Sequence, residues 1–74
     1  MDEPERQSLE REVREHRDRI AQLKASLRDL EENLRQVAGA PPQLARQAAQ
    51  MKMELRGRSA AFAVGAARLQ LDEY

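Results

Sequence analysis

The chain contains one imidazole, His16, and it is the only side chain whose ordinary pKa suits general-base chemistry near neutral pH. There is no Cys, no second His and no Ser elbow around it, so His16 has neither a nucleophile to activate nor a metal-ligand set to join. Carboxylates are plentiful, but Glu10, Glu12, Glu15, Asp18, Asp29, Glu31 and Glu32 alternate with Arg along a charged stretch. Paired catalytic acids need a cleft that drives their pKa values apart, and a solvated helix surface offers none. Gly39, Gly57 and Gly65 are too widely spaced to form a phosphate-cradling loop. The residues therefore lead us to expect a non-enzymatic protein with no cofactor, no metal and no catalytic group.

The elements that would position any such residue are helices. Seventy-four residues make one small unit with 13 basic and 13 acidic side chains, a net charge of zero, 41% apolar residues and a mean hydropathy of −0.84. A chain of this length buries only about 60% of the surface its unfolded form exposes, so its own core is thin. High charge combined with substantial apolar content fits a surface-rich helical protein.

Leu9, Val13, His16, Ile20, Leu23, Leu27, Leu30, Leu34 and Val37 are spaced alternately four and three apart. That spacing is a heptad seam, with Val13, Ile20, Leu27 and Leu34 at a and the others at d, and it predicts a helix over about 4–38. Such a helix rises about 50 Å. Asp2 with Glu5 resembles a capping box, with Pro4 in the first turn. The pairs Asp2–Arg6, Glu10–Arg14, Glu15–Arg19 and Glu31–Arg35 place acid four residues before base, the favourable order on a helix.

Ala38-Gly39-Ala40-Pro41-Pro42 divides the chain. Gly accepts the left-handed backbone just past a helix end, and Pro opens the next helix. The expected turn covers 39–41, and a second helix covers 42–71. In that helix Leu44, Met51, Leu55, Phe62 and Leu69 share one sector at 100° per residue. Met53, Val64 and Leu71, with Ala49, Ala60 and Ala67, fall almost opposite. A helix that is apolar on two sides must be covered on both. The first helix can cover one only. The short connection makes the two helices antiparallel neighbours, so the expected fold is all-α. It is a coiled-coil-like two-helix hairpin, completed into a bundle by a partner or by self-association.

The expected intramolecular seam is Leu9, Val13, Ile20, Leu23, Leu27, Leu30, Leu34, Val37, Leu44, Met51, Leu55, Phe62 and Leu69. The expected partner-binding set is Met53, Ala60, Val64, Ala67 and Leu71. Asp72 and Glu73 oppose the dipole at the end of the second helix, which predicts fraying of its last turn.

Charge distribution disfavours two other classes. Residues 43–71 carry five basic groups against one acidic, which gives helix 2 a weak claim on phosphate. No aromatic platform accompanies those cations, and residues 1–38 carry eight basic groups against ten acidic, so nucleic-acid binding is disfavoured. A self-assembling organiser built on a parallel pair of first helices would gain Glu12–Arg17 but set Glu5 against Glu10 and Arg19 against Lys24. The start, MDEPERQSLERE, is acidic where a signal peptide is basic and then apolar. The uncharged, Ala-rich run from Ser59 to Ala67 is far short of a membrane span, as is every other uncharged run in the chain. A cytoplasmic protein with a helical protein partner is expected.

A charged first helix, a Gly/Pro turn followed by Gln, and a Gln- and Ala-rich second helix with regular Leu resemble the small needle-subunit co-chaperones of bacterial type III secretion. The resemblance is carried by AGAPPQLARQAAQMKMEL and the continuation from Phe62 to Leu71. It implies a hairpin that pairs with a larger helical-repeat chaperone and holds the needle subunit unpolymerised, with Leu44, Met51, Leu55 and Phe62 as contacts. Leu44 stands where that family would place an aromatic residue. With or without that resemblance, the expected function is a protein-interaction subunit that docks through apolar helix faces into a larger helical assembly.

Overall fold

A computed structural model describes residues 1–73; Tyr74, the last residue of the expected unit, lies outside them. Two helices, α1 (Glu3–Gln36) and α2 (Pro42–Asp72), fold back on each other as an antiparallel hairpin measuring 54 × 17 × 14 Å. The described residues contain no strand. Apolar residues four and three apart place one continuous stripe along α1, and burying it against α2 supplies most of what holds the pair together. Leu23 is 2% exposed and, with Leu30 and Ala48, forms the buried centre. Leu9, Val13, Ile20, Leu27, Leu34, Leu44, Met51, Leu55, Phe62 and Leu69 are half-buried along the same interface. No helix among the described residues is long and apolar enough to cross a membrane.

The reversal is built around Gly39, whose φ of +75° lies in the left-handed region that a side chain disfavours. Following prolines keep Ala40 and Pro41 out of helical geometry, so the chain must begin turning earlier. It does so at Val37, which is extended at φ −104°, ψ 107° while its N–H still donates to the Asn33 carbonyl at 3.0 Å. The first helix thus stops two residues short of the expected 38. Val37, expected in the seam, is instead 54% exposed because it has left the helical register. Pro41 precedes the second helix with an extended backbone, and its carbonyl accepts the Leu44 N–H at 3.0 Å.

Both termini of the hairpin depart from the sequence reading in their polar contacts. Asp2 is the N-cap of α1 but makes no side-chain capping bond, so the expected box with Glu5 does not form. None of the four expected acid-before-base pairs on α1 is closed among the described residues. The guanidinium of Arg6 turns to Glu10 at 3.0 Å and across to Asp72 at 2.9 Å. That crossing offsets the acidic charge at the end of α2, which is helical to Asp72.

One glycine sets the distance between the helices. A Cβ built on Gly65 would lie 2.7 Å from Val13 Cγ2 and 3.7 Å from Leu9 Cδ1. The missing side chain lets α2 approach the β-branched Val13, whose single preferred rotamer in a helix cannot swing aside.

Two consequences are measurable in thermal unfolding. Gly39→Val should cost roughly 1 kcal/mol or more, because a β-branched residue resists positive φ; an unchanged midpoint would mean that the reversal does not need that backbone. Gly65→Ala should also lower the midpoint, by about 1–3 kcal/mol of overpacking that outweighs its helix propensity. Adding Val13→Ala to Gly65→Ala should recover part of that loss.

Candidate protein-interaction surface

The second helix presents two opposed apolar faces, and α1 lies over only one. Leu44, Met51, Leu55, Phe62 and Leu69 face α1. On the far side Met53 is 73%, Val64 60% and Leu71 71% exposed, and Ala49, Ala60 and Ala67 are exposed beside them. These large apolar side chains recur along one stripe about 33 Å long from Ala49 to Leu71. Scattered exposed apolar residues are ordinary on a protein surface, whereas an aligned stripe of them marks a contact surface.

Cations border the stripe. Arg46, Arg56 and Arg68 are exposed and have no ion-pair partner among the described residues, while Lys52 reaches Glu31 of α1 at 3.2 Å. Next to Val64 the surface dips into an open groove of about 360 Å³ between the helices. Leu9, Val13 and Gly65 form its floor, and Glu12, His16 and Arg68 stand at its edges.

A polar layer crosses the hairpin where the apolar seam is interrupted. Arg58 Nη1 donates to His16 Nδ1 at 3.3 Å. Arginine has no acceptor, so Nδ1 supplies the lone pair and the ring proton resides on Nε2. Arg58 Nε also lies 3.6 Å from Glu54 Oε2. Glu54 in turn receives two bonds from Arg19, Nε to Oε2 at 2.8 Å and Nη2 to Oε1 at 3.0 Å. The bond from Arg19 holds the Glu54 carboxyl below its ordinary pKa, against the opposing effect of desolvation; the positive charges of Arg19 and Arg58 act in the same direction as the bond. Arg19 is correspondingly raised, chiefly by its bond to Glu54.

His16 therefore sits within α1 with Nδ1 turned to a guanidinium. No group of three or more His, Cys, Asp or Glu able to hold a metal occurs among the described residues. This constellation can set register and orientation between two helices, because a bidentate guanidinium–carboxylate pair has one good geometry. Arg58 lies three residues after Leu55 and four before Phe62, on the rhythm of the inner face of α2, as His16 lies on that of α1. Folding the chain about Gly39 brings these two interruptions opposite each other, and that signal was present in the spacing. The hairpin brings the expected seam residues together except Val37, and it leaves Met53, Ala60, Val64, Ala67 and Leu71 together on the outside.

No protein family, no curated protein and no solved structure matches the chain.

The Glu54 pair gives stability a definite pH dependence. Its folded-state pKa is lowered, so its contribution is present above the ordinary glutamate range and is lost as pH falls through the lowered value. Melting the native chain and Glu54→Gln between about pH 7 and pH 3 should show the native chain ahead at neutral pH and the two converging in acid. A constant difference across that range would mean that the carboxylate charge is not what Arg19 recognises.

Proposed function

We propose that this chain is a non-enzymatic protein-interaction subunit of the cytoplasm that docks through the outer face of α2 into a larger helical assembly. The observation that carries the reading is the alignment of Met53, Val64 and Leu71 on the side of α2 that α1 leaves uncovered. Removing such side chains from water drives association. The surrounding Arg46, Arg56 and Arg68 would then select orientation and partner rather than supply most of the affinity. A co-chaperone of type III secretion is the specific form of this role that the resemblance of the turn and second helix suggests. Leu44, Met51, Leu55 and Phe62, the contacts that resemblance implies, are half-buried against α1, so in that form a larger helical chaperone would have to cover the outer α2 stripe instead.

Two substitutions separate docking from folding. Val64→Asp places a carboxylate on the outer stripe, where it stays hydrated in the free hairpin but must be desolvated in a complex. Leu23→Ala removes a buried side chain and should cost about 2–5 kcal/mol; Leu27→Ala, at a half-buried position, should cost less. The tagged native chain should retain a helical protein from a native lysate. Val64→Asp should lose that protein while keeping its helical circular dichroism. Retention of the same protein by Val64→Asp would remove the outer stripe from the interface and sink the reading.

A further inference from the structure

The stripe on α2 is complementary in size to its own reverse, and we propose that its occupant is a second copy of this chain, docked antiparallel with Ala60 on the two-fold axis. This rests on the docking reading above and names the partner. Along the helix the stripe reads Ala49, Met53, Gly57, Ala60, Val64, Ala67 and Leu71, so each large residue has small neighbours along the stripe. Running the second copy in the opposite direction sets Met53 against Ala67, Ala49 against Leu71 and Ala60 against itself, and brings Val64 within one residue of Gly57, beside Arg56. Met53 and Leu71 then each meet a small side chain, as close packing requires. A parallel pair sets Met53 on Met53 and Leu71 on Leu71, holding the helices apart where Ala and Gly face each other.

Gly57 supplies a separate observation. Glycine in a helix interior is unfavourable relative to Ala, and a Cβ built on Gly57 meets nothing within 4 Å. Nothing inside the hairpin needs that side chain to be missing, in contrast to Gly65. A closely approaching neighbour does, and the antiparallel register brings Val64 of the second copy within one residue of it.

The same register keeps like charges apart. Antiparallel helices share their flanks, so Arg68 falls beside Gln50 of the second copy and Lys52 beside its Gln70. Arg46, which has no ion-pair partner among the described residues, falls within a turn of Asp72 of the second copy, a carboxylate that Arg6 of its own chain already bridges. No cation is set against a cation. The two stripes are also equal in length, so each is covered from end to end. One helix face is small beside a standard interface of about 800 Å² per partner, which places the expected dissociation constant in the roughly micromolar range.

The native chain has no Cys, so single thiols report register without background. Sedimentation from about 1 µM to 1 mM should show a monomer–dimer equilibrium. Gly57→Leu should weaken that equilibrium about tenfold or more by filling the space Val64 needs, with helical circular dichroism retained. Under diamide oxidation Ala60→Cys should link to itself, and a mixture of Met53→Cys with Ala67→Cys should give the mixed dimer. Met53→Cys alone should stay monomeric on a non-reducing gel. Self-linking of Met53→Cys and Leu71→Cys instead of the mixed pair would overturn the antiparallel register, as would an unaffected dimer in Gly57→Leu. A single 8.5 kDa species at all concentrations would overturn the second copy as occupant. In that last case, capture of a helical protein by the native chain and its loss in Val64→Asp would leave the docking reading standing, so the two fail separately.

Discussion

One apolar stripe on α1 has two apolar stripes on α2 to cover, and most of what is distinctive about this hairpin follows from that mismatch. The α1 stripe runs from Leu9 to Leu34, broken at His16, and is consumed by the inner face of α2. Nothing apolar remains on α1 to wrap around the other side. Both helices of the described residues are used in that contact, so the outer stripe stays in water unless something else covers it. The same shortage explains why, among the described residues, only Leu23, Leu30 and Ala48 are buried hydrophobic residues. A pair of helices has no interior beyond the line along which they touch.

Along that line the polar layer and the glycine do different work. Arg19, Glu54, Arg58 and His16 occupy the middle of the hairpin, where a run of Leu would tolerate sliding by a heptad. Their pairing adds little net stability, since the groups remain partly hydrated. It penalises every register that separates them. Gly65 controls the approach of the helices near the open end, where a methyl group would collide with Val13. Arg6 closes that end by bridging Glu10 and Asp72. Register, spacing and closure are thus set by three separate contacts, and the apolar seam supplies the driving force common to all of them.

Gly57 and Gly65 lie eight residues apart on one helix, yet their surroundings differ. Gly65 is enclosed by side chains of α1; Gly57 faces open space on the flank of the outer stripe. The fold accounts for the first and leaves the second to an external neighbour. The uncovered stripe, its bordering cations and a glycine without an internal purpose are the observations on which the proposed docking face rests.

The helices, the turn and the two faces of α2 were legible in the sequence because each depends on short-range periodicity. Four-three spacing places Leu23 and Leu30 inward and Met53 and Val64 outward whatever the partner turns out to be. Gly39 followed by two prolines allows one kind of interruption only. The ion pairs were not legible in the same way. On an isolated helix Glu15–Arg19 is a sound expectation, but Glu54 of the other helix offers Arg19 two well-placed oxygens, and the cross-helix pair wins. Val37 obeyed the rhythm and still left the seam, since the length needed to reverse the chain is a property of the whole hairpin. The close fit of Gly65 to Val13 likewise depends on a distance between helices that no local pattern encodes. The sequence by itself determined which residues are helical and which way they face, because backbone sterics and hydrophobic periodicity act over a few residues. Tertiary structure alone decided which charges pair and which glycine is indispensable, because these depend on register and separation between segments distant in the chain.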